Sequence, residues 1–181
     1  MQEISLNILD IAQNSIKANA SVIYITIAYS ADKSLLTCSV SDNGCGMTKQ
    51  QAENVTDPFY TTRTTRKVGL GVPFFKMTAE MTGGSFKINS KVGEGTDVCA
   101  VYHTDHIDML PLGDMTETVI SLICVNPNVD FVYVSKIGEK SFTMDTREFK
   151  QVLNGVDINS LEVLTFIRDY INENQQSIEN D

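Results

Sequence analysis

At 181 residues with 42% apolar content, the chain is long enough for one packed domain of ordinary size and a substantial appendage. No apolar run approaches the roughly 18–20 residues of a membrane-spanning helix, and the N-terminus "MQEISLNILD" has neither a basic start nor a cleavage site, so neither a membrane protein nor a signal peptide is expected. The net charge of -9 lies in one part of the chain: residues 1–103 balance nine acids with nine bases, whereas residues 104–181 hold fourteen acids and five bases. A general nucleic-acid binder would need a basic face and is disfavoured. The four cysteines form no CxxC pair, which predicts free thiols in a cytoplasmic protein rather than a zinc or disulfide framework.

In chain order, "SLNILDIAQNSIKAN" predicts a helix with Ser5 as N-cap. Ile8, Leu9, Ala12 and Ile16 fall on its apolar side; Asn7, Asp10, Asn14 and Lys17 fall on its polar side. "SVIYITIAY" and "SLLTCSV" read as strands, the second with Leu36, Cys38 and Val40 on one face. A turn, "DNGCGM", closes that strand, and a short helix around Lys49–Val55 follows. "TDPFYTTRTTRKVG" has no apolar period and reads as a mobile loop. "LGVPFFKMTAEMTGG" reads as a helix with Gly71 at its mouth and Pro73 in its first turn, stopped by Gly83-Gly84. "SFKINS" and "TDVCAVYH" are two further strands. "TDHIDMLPLGD" is a connection. "TVISLICVN" is too short an apolar run to decide between helix and strand. "VDFVYVSKI" and "KSFTMD" suggest a hairpin, "TREFKQVLNG" and "SLEVLTFIRDYINEN" suggest helices, and "QQSIEND" is expected to fray.

Three pieces carry chemistry. Asp10, Asn14 and Lys17, at i, i+4 and i+7, project from one helix face within about 11 Å along the axis. A carboxylate, an amide oxygen and an ammonium suit a hydrated Mg²⁺ with phosphates, and the carboxylate suits the activation of a hydroxyl or water. The Asp42 turn offers an acceptor for an exocyclic amine, with Gly44 and Gly46 allowing a flat ring near the backbone. "VGLG" opens a helix whose amides attract anions, and Arg63, Arg66 and Lys67 lie just upstream.

The order "LDIAQNSIKANAS … DNGCGM … DPFYTTR … GLGV … GEGT", spanning about residues 5–102, closely resembles the GHKL ATPases: the gyrase, heat-shock chaperone, histidine-kinase and mismatch-repair group. The resemblance implies an α+β fold, a two-layer sandwich of the Bergerat type with a mixed sheet packed on helices, over residues 1–103. A small acidic α+β region over 104–181 would follow. It implies ATP and Mg²⁺ as cofactors. By resemblance, Asp42 takes the adenine amino group with help from a water and Thr96, and Met47 packs against the base. Asn14 holds the metal, Lys17 and Arg63 lie near the phosphates, and Gly44, Gly46, Gly69, Leu70 and Gly71 shape the pocket and lid base.

Asp10 stands where hydrolysing members usually have Glu. The first helix starts almost at Met1, so either the domain is truncated or the C-terminal region fills the place of the family's preceding strand and helix. With no phosphoacceptor helix ahead of it, the chain is not expected to be a complete conventional histidine kinase. The resemblance implies an ATP-dependent protein kinase of histidine-kinase or anti-sigma-factor type acting on a protein partner; the alternatives are an ATP-gated binding switch and, less favoured, a DNA-repair-type ATPase. Relatives of this kind often work as homodimers.

Overall fold

The computed structural model describes residues 3–57 and 70–180. Its elements are α1 (Ile4–Lys17), β1 (Val22–Tyr29), β2 (Leu35–Asp42), α2 (Lys49–Asn54), α3 (Gly71–Met81), β3 (Ser85–Lys91), β4 (Gly95–His103), α4 (Met115–Val125), β5 (Asp130–Ile137), β6 (Lys140–Asp145), α5 (Thr146–Val152) and α6 (Leu161–Asn180). The strands form one mixed sheet in the order β3-β4-β2-β1-β5-β6. Every neighbouring pair is antiparallel except β1 with β5, which is parallel. Residues 104–180 therefore extend the sheet of the first part rather than building a second one.

Strand alternation sets the core. Ile23, Ile25 and Ile27 of β1, Leu36, Cys38 and Val40 of β2, and Val98, Ala100 and Tyr102 of β4 are all buried. They join Ile8, Ile11 and Ala12 of α1, Phe75 of α3, Ile123 of α4 and Ile167 of α6 in one cluster. Phe75 meets Phe86 edge-on with ring centroids 6.4 Å apart. This is the expected α+β arrangement of a mixed sheet backed by helices.

The start of α1 differs from expectation. Glu3 occupies the N-cap position without a side-chain cap bond, and Ser5 lies buried inside the first turn. The backbone N–H groups of Ile4 and Ser5 instead donate to the carbonyls of Pro111 and Leu112, at 3.0 and 2.8 Å. The connection before α4 thus satisfies amides that a helix start leaves without intrahelical partners. Asn7 is also displaced from its expected polar side: it is 1% exposed, on a helix that packs against both α3 and α4. Among the described residues its Oδ1 has no hydrogen-bond partner.

The undecided run at 118–126 is helical. Asp114 caps α4 by accepting from the Glu117 N–H at 2.9 Å, and Val119, Ile120, Leu122 and Ile123 are buried. The expected fraying of the last residues is not observed through Asn180. Ile178 is 9% exposed, and the Ser135 hydroxyl donates to Gln175 Oε1 at 2.7 Å, so packing against β5 carries α6 onward.

Candidate nucleotide site

The site grows from the end of β2. Asp42 sits opposite Thr96 in the β2–β4 register. Its Oδ1 accepts the Gly44 N–H at 2.8 Å, and its Oδ2 accepts the Ser15 hydroxyl at 2.5 Å. The second bond crosses from sheet to helix and joins Asp42 to the C-terminal half of α1. A carboxylate offers about four lone-pair directions. These two bonds fix its orientation and leave capacity for an incoming N–H donor.

The turn after Asp42 is stitched on three sides. Asn43 Oδ1 accepts the N–H groups of Ser21 and Val22 at 2.9 and 3.0 Å, and its Nδ2 donates to the Ser21 hydroxyl at 2.8 Å. The Cys45 N–H donates to the Ala18 carbonyl at 2.8 Å, and the Gly93 N–H donates to the Cys45 carbonyl at 2.8 Å. Gly46 has φ +65°, and a Cβ there would lie 2.0 Å from the Lys91 carbonyl oxygen. Gly95 has φ +115°, and a Cβ there would lie 1.9 Å from the Asp42 carbonyl oxygen. Only glycine fits either place. A Cβ on Gly44 would come 2.8 Å from the Ala18 carbonyl oxygen. These glycines therefore serve close packing of the turn against α1 and the β3–β4 hairpin, a role beyond the ring access expected of Gly44 and Gly46.

Met47 enters the same corner. Its N–H donates to the Ser90 hydroxyl at 2.8 Å, and Ser90 Oγ lies 2.8 Å from Thr96 Oγ1. Asp42, Met47 and Thr96 are thus gathered around one end of β2 and β4. Asn14 and Lys17 are exposed on α1, beside the Ser15 link. Asp10 is half-buried and lies five residues before Ser15, about 7.5 Å along the axis. The opening residue of α3 abuts it: a Cβ on Gly71 would lie 2.8 Å from Asp10 Cβ. Burial pushes the Asp10 carboxyl above its ordinary range, and the Lys17 charge partly opposes that. Leu70 stands at the N-cap position of α3 and provides no side-chain cap.

The structure thus makes two groupings on α1, Asp10 with Gly71 and Ser15 with Asp42, with exposed Asn14 and Lys17 on the same helix. Arg63 and Gly69, with Arg66 and Lys67, lie outside the described residues. Ser15, Asn43 and Ser90 were not singled out by sequence reasoning. Ser15 had a signal, a hydroxyl at helical spacing on the apolar side. Asn43 read only as a turn residue, and the link from Ser90 to Met47 and Thr96 has no sequence signature. Among the described residues, no group of three His, Cys, Asp or Glu could hold a metal ion. No described helix is long and apolar enough to cross a membrane.

Comparison with known proteins bears on this geometry. Residues 2–105 match the family described as histidine kinase-, DNA gyrase B-, and HSP90-like ATPases, HATPase_c. The chain belongs to this family. It is 31% identical over 88 residues to Sporulation kinase C of Bacillus subtilis strain 168, covering 49% of this chain and 20% of that kinase. It is 32% identical over 91 residues to Sporulation kinase D of the same organism, covering 50% of this chain and 18% of that kinase. The matched stretch is thus about a fifth of the length of either kinase. In fold, the chain resembles the Aquifex aeolicus MutL ATPase domain complexed with ADP, with a TM-score of 0.50 and 16% identity over 80% of this chain and 64% of that one. The α+β architecture is the family's ATP-binding fold.

Proposed function

We propose that this protein binds ATP with Mg²⁺ and transfers the γ-phosphoryl group to a partner protein, as a regulatory kinase of histidine-kinase or anti-sigma-factor type. The observation that carries the reading is the Ser15–Asp42 bond, which ties a polar acceptor at the sheet end to the helix bearing Asp10, Asn14 and Lys17. The similarity to two sporulation kinases supports the kinase class.

The residues present fit the nucleotide. Asp42 keeps lone pairs for the adenine amino group, with Thr96 opposite it in the sheet, and Met47 is assigned to pack on the base. Asn14 presents an amide oxygen suited to Mg²⁺, which takes few protein ligands and keeps waters. Lys17 supplies a positive charge for phosphate oxygens, and Arg63 is assigned the same role from its sequence position. When bound, ATP supplies the phosphoryl group and Mg²⁺ neutralises charge on its oxygens. Where the acceptor is a partner's Ser, Asp10 accepts the proton of its hydroxyl; burial that raises its pKa moves it toward the range where a carboxylate is an effective base. The free cysteines Cys38, Cys45, Cys99 and Cys124 suit a reducing cytoplasm.

The test is transfer of labelled γ-phosphate to proteins co-purified with the chain. Label on a partner, slowed about 10²-fold by Asp10→Asn, supports the reading. Normal ATP binding without transfer would overturn the kinase reading and leave an ATP-gated protein-binding switch.

A further inference from the structure

A cavity lies at the opposite end of the sheet from Asp42. It encloses about 390 Å³, within the roughly 300–1,000 Å³ of small-molecule clefts. Ile23 pairs with Asp42, and Tyr29 of the same strand lines the cavity. Six residues of β1 separate them, about 20 Å. The cavity is therefore distinct from the nucleotide site.

Its floor and rim differ in chemistry. Ile27, Tyr133 and Ser135 form a floor from β1 and β5; each of Tyr133 and Ser135 is 3% exposed. Tyr29 stands half-buried at the wall. The rim carries the exposed carboxylates of Asp114, at the start of α4, and Glu179, at the end of α6. Glu3 lies close behind: a Cβ on Gly113 would come 2.5 Å from its Oε2. Among the described residues none of the lining is basic; the Arg168 guanidinium, whose charge reaches Asp114, is held by Glu117. A chain of bonds holds this arrangement: Ser135 donates to Gln175 Oε1 at 2.7 Å, and Gln175 Nε2 donates to Glu179 Oε1 at 2.6 Å.

The α4 N-terminus by itself would favour an anion. Asp114 already caps it with its own carboxylate, and the negative C-terminal end of α6 points the other way. The balance favours a cation. The aromatic and aliphatic walls favour an apolar body, and tyrosine faces attract ammonium groups. Burial first, then Cys38, then the Glu179 charge hold the Tyr29 phenol proton above its usual range, which keeps that ring neutral beside the rim.

We propose that this cavity binds a small primary amine with an apolar body, the ammonium group at the Asp114 and Glu179 carboxylates and the body against Tyr29 and Tyr133. The proposal does not depend on nucleotide chemistry at Asp42.

Calorimetric titration of the full chain with phenethylamine, and with phenylpropionate as a probe of similar body and opposite charge, tests it. Saturable binding of phenethylamine alone is expected, weakened about tenfold by Glu179→Gln and by Asp114→Asn, each removing one charge-assisted contact. Both changes preserve the fold: glutamine keeps the bond to Gln175, and asparagine caps helices as well as aspartate. Asp42→Asn is expected to leave amine binding unchanged. Absence of saturation, equal binding of the carboxylate probe, insensitivity to both rim variants, or loss of binding in Asp42→Asn would each overturn the proposal.

Discussion

Replacing Asp42 with Asn separates recognition from folding. In the wild-type chain Oδ1 accepts from Gly44 and Oδ2 from Ser15. Asparagine retains an oxygen for the Gly44 N–H, and its Nδ2 can donate to the Ser15 hydroxyl. Ser15, only 3% exposed, can then turn its proton toward the Ile11 carbonyl oxygen, at 3.4 Å. The folding cost is therefore about 1 kcal/mol, the loss of charge assistance in the bond. Alanine would leave the Gly44 N–H without its acceptor, at about 1–3 kcal/mol, and Ser15 with only the long bond to the Ile11 carbonyl. Recognition changes more than stability does. An adenine amino group would lose a charged acceptor worth about 1.5–3 kcal/mol and face a donor. At about 1.4 kcal/mol per tenfold, ATP affinity should fall about 10- to 150-fold. The keto oxygen of guanine would instead meet Nδ2, so the ATP preference over GTP should shrink or reverse. Thermal melting and calorimetric titration with ATP and GTP measure both effects. Unchanged ATP affinity in a folded Asp42→Asn protein would refute the assignment of the base to this carboxylate.

The remaining predictions use the helix ends and buried groups. Asp10 has a raised folded-state pKa, so its charged form is disfavoured by folding: stability should decline as pH rises from the unfolded carboxylate range through the folded pKa. Asp10→Asn should then be more stable than wild type at pH 7 and lose that advantage at pH 3, measured by denaturant titration. Asp145 caps α5 through the Arg147 N–H at 2.9 Å, and the Arg147 side-chain bonds hold its carboxyl below the usual range. Its stabilisation should be present above about pH 4 and vanish as pH falls through the lower folded value, and Asp145→Ala should cost about 0.5–2 kcal/mol at pH 7 by urea unfolding. Asn7→Leu removes the buried oxygen without a partner and should raise stability by about 1 kcal/mol or more in the same assay; a loss of more than that would show that the amide has an unrecognised role.

Strand and helix positions were legible because the apolar periods are strong. Leu36, Cys38 and Val40 announce one buried face, and all three are buried. What stayed hidden was set by contacts remote in sequence. Nothing around Ser5 announces that carbonyls of Pro111 and Leu112 will cap α1. Nothing near Asn7 announces that neighbouring elements will cover it. The 118–126 run was ambiguous because local pattern does not choose between helix and strand; its place between α1 and α6 does. Within the site, the Asp42 turn and the α1 polar face were readable as separate motifs. Their connection through Ser15 was not, since it depends on how α1 lies across the sheet.

The most direct test of the account is a crystal structure of the chain with Mg²⁺ and a non-hydrolysable ATP analogue. The account predicts the adenine amino group against the Asp42 carboxylate, the metal at the Asn14 amide and the phosphates lying along α1 near Lys17, with the γ-phosphate toward Asp10. A nucleotide bound elsewhere, or seated with its base away from Asp42, would contradict it.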